Sequence, residues 1–207
     1  VIKPQQQKAV NTNDMRKMIF GGVLLLITAL TISTAYTQQP PATADRFKQE
    51  FLSYINNTRT KGCNCGTKWY SAAAPLTWNN YLQKAAYGHA KDMNNRHYFS
   101  HTSKDGRSMQ DRIVFAGYIF KGYRTFTVGE NIAKGQQSIR QVMDEWFKSE
   151  GHCENLMNPK FKEIGISQYN DYWVQDFGGR EAFSPELQKQ IESGEVKLRP
   201  PVYSKDH

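Results

Sequence analysis

Apolar positions recur at steps of three and four through Phe47, Phe51, Tyr54 and Ile55, with Thr58 extending the stripe. This spacing predicts an amphipathic helix over 45–61, which Gly62 ends. A second stripe, Leu82, Ala86, His89 and Met93, predicts a helix over 80–95, with Asn80 and Gln83 at capping-box spacing. His89 falls on the buried side of that stripe, where a core histidine satisfied by a backbone carbonyl is the expected role. A short helix is expected over 108–116, with Ile113 and Phe115 in the core. Ser138 and Gln141 form a capping box for a further helix, whose inner face is Ile139, Val142, Met143 and Trp146. That helix is expected to break at Gly151, presenting His152 and Cys153 ahead of a polar turn around Asn155, Asn158 and Pro159.

Elsewhere the pattern changes. Residues 118–128 are aromatic and β-branched, as in strand or irregular extended chain. Lys162–Gln168 and Tyr172–Phe177 flank Asn170-Asp171, a hairpin signal, and Gly178-Gly179 is expected to close the domain. Residues 63–74 read as a loop. His97 and His101 are four apart, but Phe99-Ser100 and the turn at Lys104-Asp105-Gly106 indicate that the helix has already ended, so they share no face. The organisation predicted is an N-terminal extension and signal peptide over 1–35, a linker over 36–44, one domain over 45–179 and a polar tail over 180–207. That tail has room for one short helix after Ser184.

A chain of 207 residues with 39% apolar and 13% aromatic content builds one well-filled core. The net charge is +8, yet residues 1–35 carry Lys3, Lys8, Arg16 and Lys17 against Asp14. The remaining positive charge forms no dense block, which speaks against a nucleic-acid partner. Arg16 and Lys17 precede the apolar run Met18–Ile32, and Ser33-Thr34-Ala35 supplies small residues for cleavage. The run is shorter than the ~20 residues of a spanning helix, so a cleaved signal peptide is expected, with Met15 as the start and a secreted or periplasmic product. An uncleaved anchor is the alternative, and the only membrane contact foreseen.

Export permits disulfides, and Cys63, Cys65 and Cys153 allow one bridge. A C-x-C pair bridges itself poorly. Cys153 is therefore expected to pair with Cys63 or Cys65, closing a loop of roughly 90 residues worth about 4 kcal/mol on chain-entropy grounds. Zinc held by the three is the rival reading, short of a fourth ligand. The phosphate-binding loop, the dinucleotide fingerprint, H-E-x-x-H and G-x-S-x-G are all absent from the sequence. A nucleophilic pair of His152 and Cys153 is disfavoured, because sequence neighbours point apart. Glu130, after Gly129 and before Asn131-Ile132-Ala133, reads as a solvent-facing loop charge or a buried acid; the residues alone favour the first.

Taken together, Leu76-Thr77-Trp78-Asn79, Phe99-Ser100-His101, Gly129-Glu130-Asn131-Ile132-Ala133, Gly151-His152, Asn155-Leu156, Asn158-Pro159 and Tyr172-Trp173-Val174-Gln175 resemble the bacterial form of the CAP superfamily, the cysteine-rich secretory, antigen 5 and pathogenesis-related proteins. The resemblance covers about residues 46–179. It implies an α+β fold, a three-layer α-β-α sandwich around a small, mostly antiparallel sheet. It also implies a cleft lined by His101, Glu130 and His152, with Asn131 beside them. The family's second acid corresponds to Ser149, flanked by Glu145 and Glu150 out of place. Two neutral imidazoles suit Zn²⁺, and Glu130 would complete the shell or take a proton from bound water. The expected function is a secreted, non-catalytic module binding a metal ion, lipid or envelope component. The alternative is a metal-dependent peptidase using His101, His152 and Glu130.

Overall fold

The first apolar stripe folds as helix α1 (Ala42–Arg59). It begins within the expected linker, since Ala42 and Ala44 are strong helix formers and Asp45 suits a first turn. The computed structural model describes residues 42–198. The expected signal peptide or anchor over 1–35 lies outside the described residues, as do 36–41 of the linker and 199–207 of the tail. No described helix is long and apolar enough to cross a membrane.

The segment expected as a loop after Gly62 is instead a small antiparallel hairpin, β1 (Cys63–Cys65) and β2 (Lys68–Tyr70). A two-residue strand, β3 (Thr77–Trp78), leads into α2 (Asn80–Asn95). The cap of α2 is Asn79, one residue before the expected Asn80, and its side chain accepts from the Tyr81 and Leu82 amides. The stripe Leu82, Ala86, His89 and Met93 is fully buried. In α3 (Met109–Ala116) Ile113 is buried, whereas Phe115 is 81% exposed. Two residues along a helix turn the side chain about 200°, so the two cannot share one face.

The aromatic and β-branched run enters one long strand, β4 (Tyr123–Lys134), which also contains Gly129–Ala133. After it come α4 (Ile139–Lys148) and α5 (Glu150–Met157), then the hairpin β5 (Glu163–Tyr169) and β6 (Tyr172–Ala182), and α6 (Pro185–Glu192), capped by Ser184. Gly178-Gly179 therefore does not end the fold, because β6 continues pairing with β4 through Ala182. The break before His152 falls at Ser149, whose backbone is extended, and Gly151 lies inside α5. Glu150 suits the first turn of a helix, and the new helix begins there.

The main sheet runs β3-β5-β6-β4, with β3 parallel to β5 and the other neighbours antiparallel. One face carries α1, α4 and α5 over a core of Phe51, Val142, Trp146, Leu156, Trp173 and Phe177. The other carries α2 and α3, with Ala86, Ala90 and Met93 on Ile132 and Val174. This is the α-β-α sandwich. At Gly165 on β5 a Cβ would stand 1.9 Å from the Gln83 amide nitrogen, so only glycine lets α2 lie this close to the sheet.

Arg59 locks α1 to the end of α5. It is fully buried, and its guanidinium donates to the carbonyls of Ala74, Leu156, Asn158 and Phe161 at 2.9, 2.6, 3.2 and 3.3 Å. Burial lowers its pKa to about 10, which still leaves it charged. Arg59→Met orphans these acceptors and is expected to cost about 3 kcal/mol or more in urea unfolding. Arg124→Met, at the exposed pair with Glu181, is expected to change stability by a few tenths at most.

Candidate functional site

Strand alternation decides where the Gly-Glu-Asn segment of β4 points. Glu130 lies opposite Asp176 on β6 and shares its face with Ile132, toward α2 and α3; Asn131 lies opposite Gln175 and faces α4 and α5. Glu130 is thus no loop charge. Its side chain is 1% exposed, and it is held from two directions. Nδ1 of His101 donates to one carboxylate oxygen at 2.8 Å and Nη2 of Arg112 to the other at 2.6 Å. Burial works against ionisation of Glu130, but the His101 hydrogen bond and the Arg112 charge outweigh it, so its pKa falls below the ordinary value.

Arg112, on α3, also organises the loop that carries His101. Its Nη1 donates to the carbonyls of His101 and Arg107 and to the Ser103 hydroxyl at 2.9, 3.2 and 3.2 Å. His101 itself remains 57% exposed in its side chain. Among the described residues no group hydrogen-bonds its second ring nitrogen, nor either ring nitrogen of His152.

His152 reaches the same region through α5. Nδ2 of Asn131 donates to the His152 carbonyl at 3.1 Å and to Gln175 Oε1 at 2.9 Å. Asn155 answers from α5, donating to the Glu130 carbonyl at 3.2 Å and to Asn131 Oδ1 at 2.9 Å. These amides dock α5 beside the edge strand, and a Cys65–Cys153 disulfide ties the same helix to β1. Burial lowers the pKa of His152, and the neighbouring His101 lowers it further.

His101, Glu130 and His152 therefore gather at the edge of the sheet, with Asn131 as the link. Ser149 joins α4 to α5 and its side chain makes no cap bond. Glu145 accepts from Gln136 and Gln141 on the surface. Among the described residues, three possible ligand atoms of His, Cys, Asp or Glu lie within 4.8 Å of one another only at Cys63, Cys65 and Cys153, two of which are bonded together. Glu130 stands outside that cluster. With both oxygens engaged, it fits the role of the carboxylate behind a metal-binding histidine, fixing which ring nitrogen keeps its proton. His101, oriented in this way, and the neighbouring His152 are the residues that could hold a divalent ion, with water or ligand completing its shell.

Two participants escaped the sequence reading: Arg112 and Asp176. His89 is buried and its Nε2 donates to the Ser100 carbonyl at 2.8 Å, the core role expected; burial lowers its pKa. His89 and Arg112 line a cavity of about 310 Å³ on the α2 and α3 side, with Phe115 at its margin; none of His101, Glu130 and His152 lines it. Asp176 is fully buried, and neither of its oxygens finds a partner. Burial, and then the Glu130 charge, hold its pKa well above the ordinary value. An acid within a strand buried along most of its length was the available signal.

The fold and cleft define an α-β-α domain with paired histidines at one sheet edge. A family model, the cysteine-rich secretory protein family (CAP), matches residues 52–177, and the chain belongs to that family. It is 31% identical over 149 residues to YkwD of Bacillus subtilis (strain 168), an alignment covering 71% of this chain and 52% of YkwD. It is 33% identical over 105 residues to the membrane protein YlbC of the same organism, covering 50% of this chain and 29% of YlbC. The chain thus spans about half of the first relative and under a third of the second. Among solved structures, an extracellular protein with an SCP domain from Bacillus anthracis str. Ames is 24% identical with a TM-score of 0.50, over 68% of this chain and 44% of that one. An outer surface protein of Borrelia burgdorferi is 20% identical with a TM-score of 0.51, over 67% and 92%. These two share the fold.

Asp176 sets a pH dependence. In the unfolded chain it ionises above its ordinary 3.8, whereas the fold keeps it protonated to higher pH. The unfolded state alone is relieved by losing that proton, so Asp176 costs stability as pH rises through this window and costs nothing below it. Asp176→Asn is expected to melt higher than the parent at pH 7, with the gain shrinking as pH falls toward 4. A gain independent of pH would contradict this assignment.

Proposed function

We propose that this is an exported, non-catalytic binding domain whose His101–His152 cleft takes a divalent metal ion such as Zn²⁺. The observation that carries the reading is the state of Glu130. One oxygen receives the His101 proton and the other the Arg112 guanidinium. A carboxylate so occupied and held below its ordinary pKa is a poor proton acceptor, the task a peptidase would require of it. It is well suited to orienting His101. Cys153, the sequence neighbour of His152, is bonded to Cys65.

A metal bound here would act as an electrostatic anchor for a ligand carrying oxygen donors, in keeping with an envelope component or a lipid headgroup as partner. Export is supported by the apolar run at Met18–Ile32 and by the extracellular and outer-surface neighbours that share the fold. The buried disulfide points to the same compartment.

Titration calorimetry of the full chain with ZnCl₂ near pH 7.5 tests the reading. One ion per chain is expected, with affinity falling at least tenfold in His101→Ala and in His152→Ala. Burial and His101 keep His152 neutral to below the ordinary 6.5, so binding should weaken only under acid, as protons compete for the imidazoles. No heat of binding, or affinity indifferent to both substitutions, would overturn the metal site. Peptide-library turnover that disappears in His152→Ala would replace the reading with a peptidase.

A further inference from the structure

Residues i and i+2 of a strand project to the same side. Cys63 and Cys65 open and close β1 and so share one face, while Asn64 between them is exposed. Cys153 of α5 meets that face. Its sulfur is bonded to Cys65, yet the Cys63 sulfur lies only 3.9 Å away, and all three fall within 4.8 Å of one another. Cys65 and Cys153 are fully buried, whereas Cys63 is a free, half-buried thiol.

We propose that Cys63, Cys65 and Cys153 form a thiol–disulfide exchange centre, in which the bond to Cys153 passes between Cys65 and Cys63. The Cys63 thiol gives its proton to water, and the thiolate attacks Cys153 Sγ. The Cys63–Cys153 bond forms as the Cys65–Cys153 bond breaks. The electron pair leaves on Cys65 Sγ, which then takes up a proton. One disulfide and one thiol exist before and after, so no oxidant or reductant is consumed. In-line attack requires the Cys63 sulfur to swing, by rotation about its Cα–Cβ bond, to the side of Cys153 away from Cys65.

The surroundings accommodate either pairing. Met157, Tyr70 and Phe147 pack around the sulfurs, and the Tyr70 hydroxyl donates to Glu154 at 2.6 Å, holding the hairpin to α5 whichever bond is present. The thiol alone changes place. In one form it is half-buried at position 63, within reach of a small external disulfide; in the other it is sealed at position 65. Burial pushes the Cys63 thiol up, so its thiolate is scarce near neutrality and exchange quickens with pH. The exchange is independent of metal binding in the cleft.

Differential alkylation of the full chain tests this. Native protein is held at about pH 6 or about pH 8.5, then quenched at intervals into denaturant with excess N-ethylmaleimide. It is next reduced and labelled with iodoacetamide, and tandem mass spectrometry reads which cysteine took the first label. The first label is expected on both Cys63 and Cys65, with the approach to a constant ratio about tenfold faster per pH unit. First label confined to Cys63 after a day at the higher pH would overturn the proposal. As a second readout, Cys65→Ser is expected to retain one disulfide and no free thiol, and to melt within a few degrees of Cys63→Ser. Two free thiols in Cys65→Ser, with the melting temperature of Cys153→Ser, would also overturn it.

Discussion

A negative charge buried at the edge of a sheet is the constraint on which this site depends. Taking a carboxylate out of water costs several kcal/mol unless it is paired and hydrogen-bonded. Glu130 meets that condition with two partners from different elements, Arg112 on α3 and His101 on the loop before it. Arg112, now buried as well, places its Nη1 on the carbonyls of that loop. The loop's path therefore follows from charge compensation, and His101 reaches the surface because of it.

The neighbouring residue builds the other half. Because side chains alternate along a strand, Asn131 projects to the opposite face from Glu130. There it joins Gln175, Asn155 and the His152 carbonyl in a buried amide network. Two consecutive residues of β4 thus anchor two histidines that arrive from opposite layers of the sandwich. A one-residue slip of β4 would exchange their faces and destroy both anchors, and its long pairing with β6 guards against that.

The family's architecture serves here as a rigid frame for a small polar site, with Arg59 fastening α1 to the end of α5 and the disulfide fastening its middle. Such bracing fixes the backbone from which His152 projects. Among the described residues, Asp176 beneath Glu130 is left by this frame without a hydrogen-bond partner, as are Nε of Arg112 and Nδ1 of His89 beside it.

Periodicity and motif order determined much by themselves. The buried stripe of α2, the inner face of α4, the hairpin at Asn170-Asp171 and the carbonyl-bonded His89 were all legible, because helix and strand repeats are local properties. The ordered blocks around His101, Glu130 and His152 carried the family resemblance. Only the tertiary structure decided that Glu130 is buried in a strand and Phe115 is exposed, that Ser149 begins a new helix, and that Arg112 and Asp176 belong to the site. It also placed both sulfurs of the C-x-C pair against Cys153 and bonded Cys65. The reason is common to all of these: each depends on which face of an element meets which neighbour, and on charges that must be compensated across layers distant in the chain.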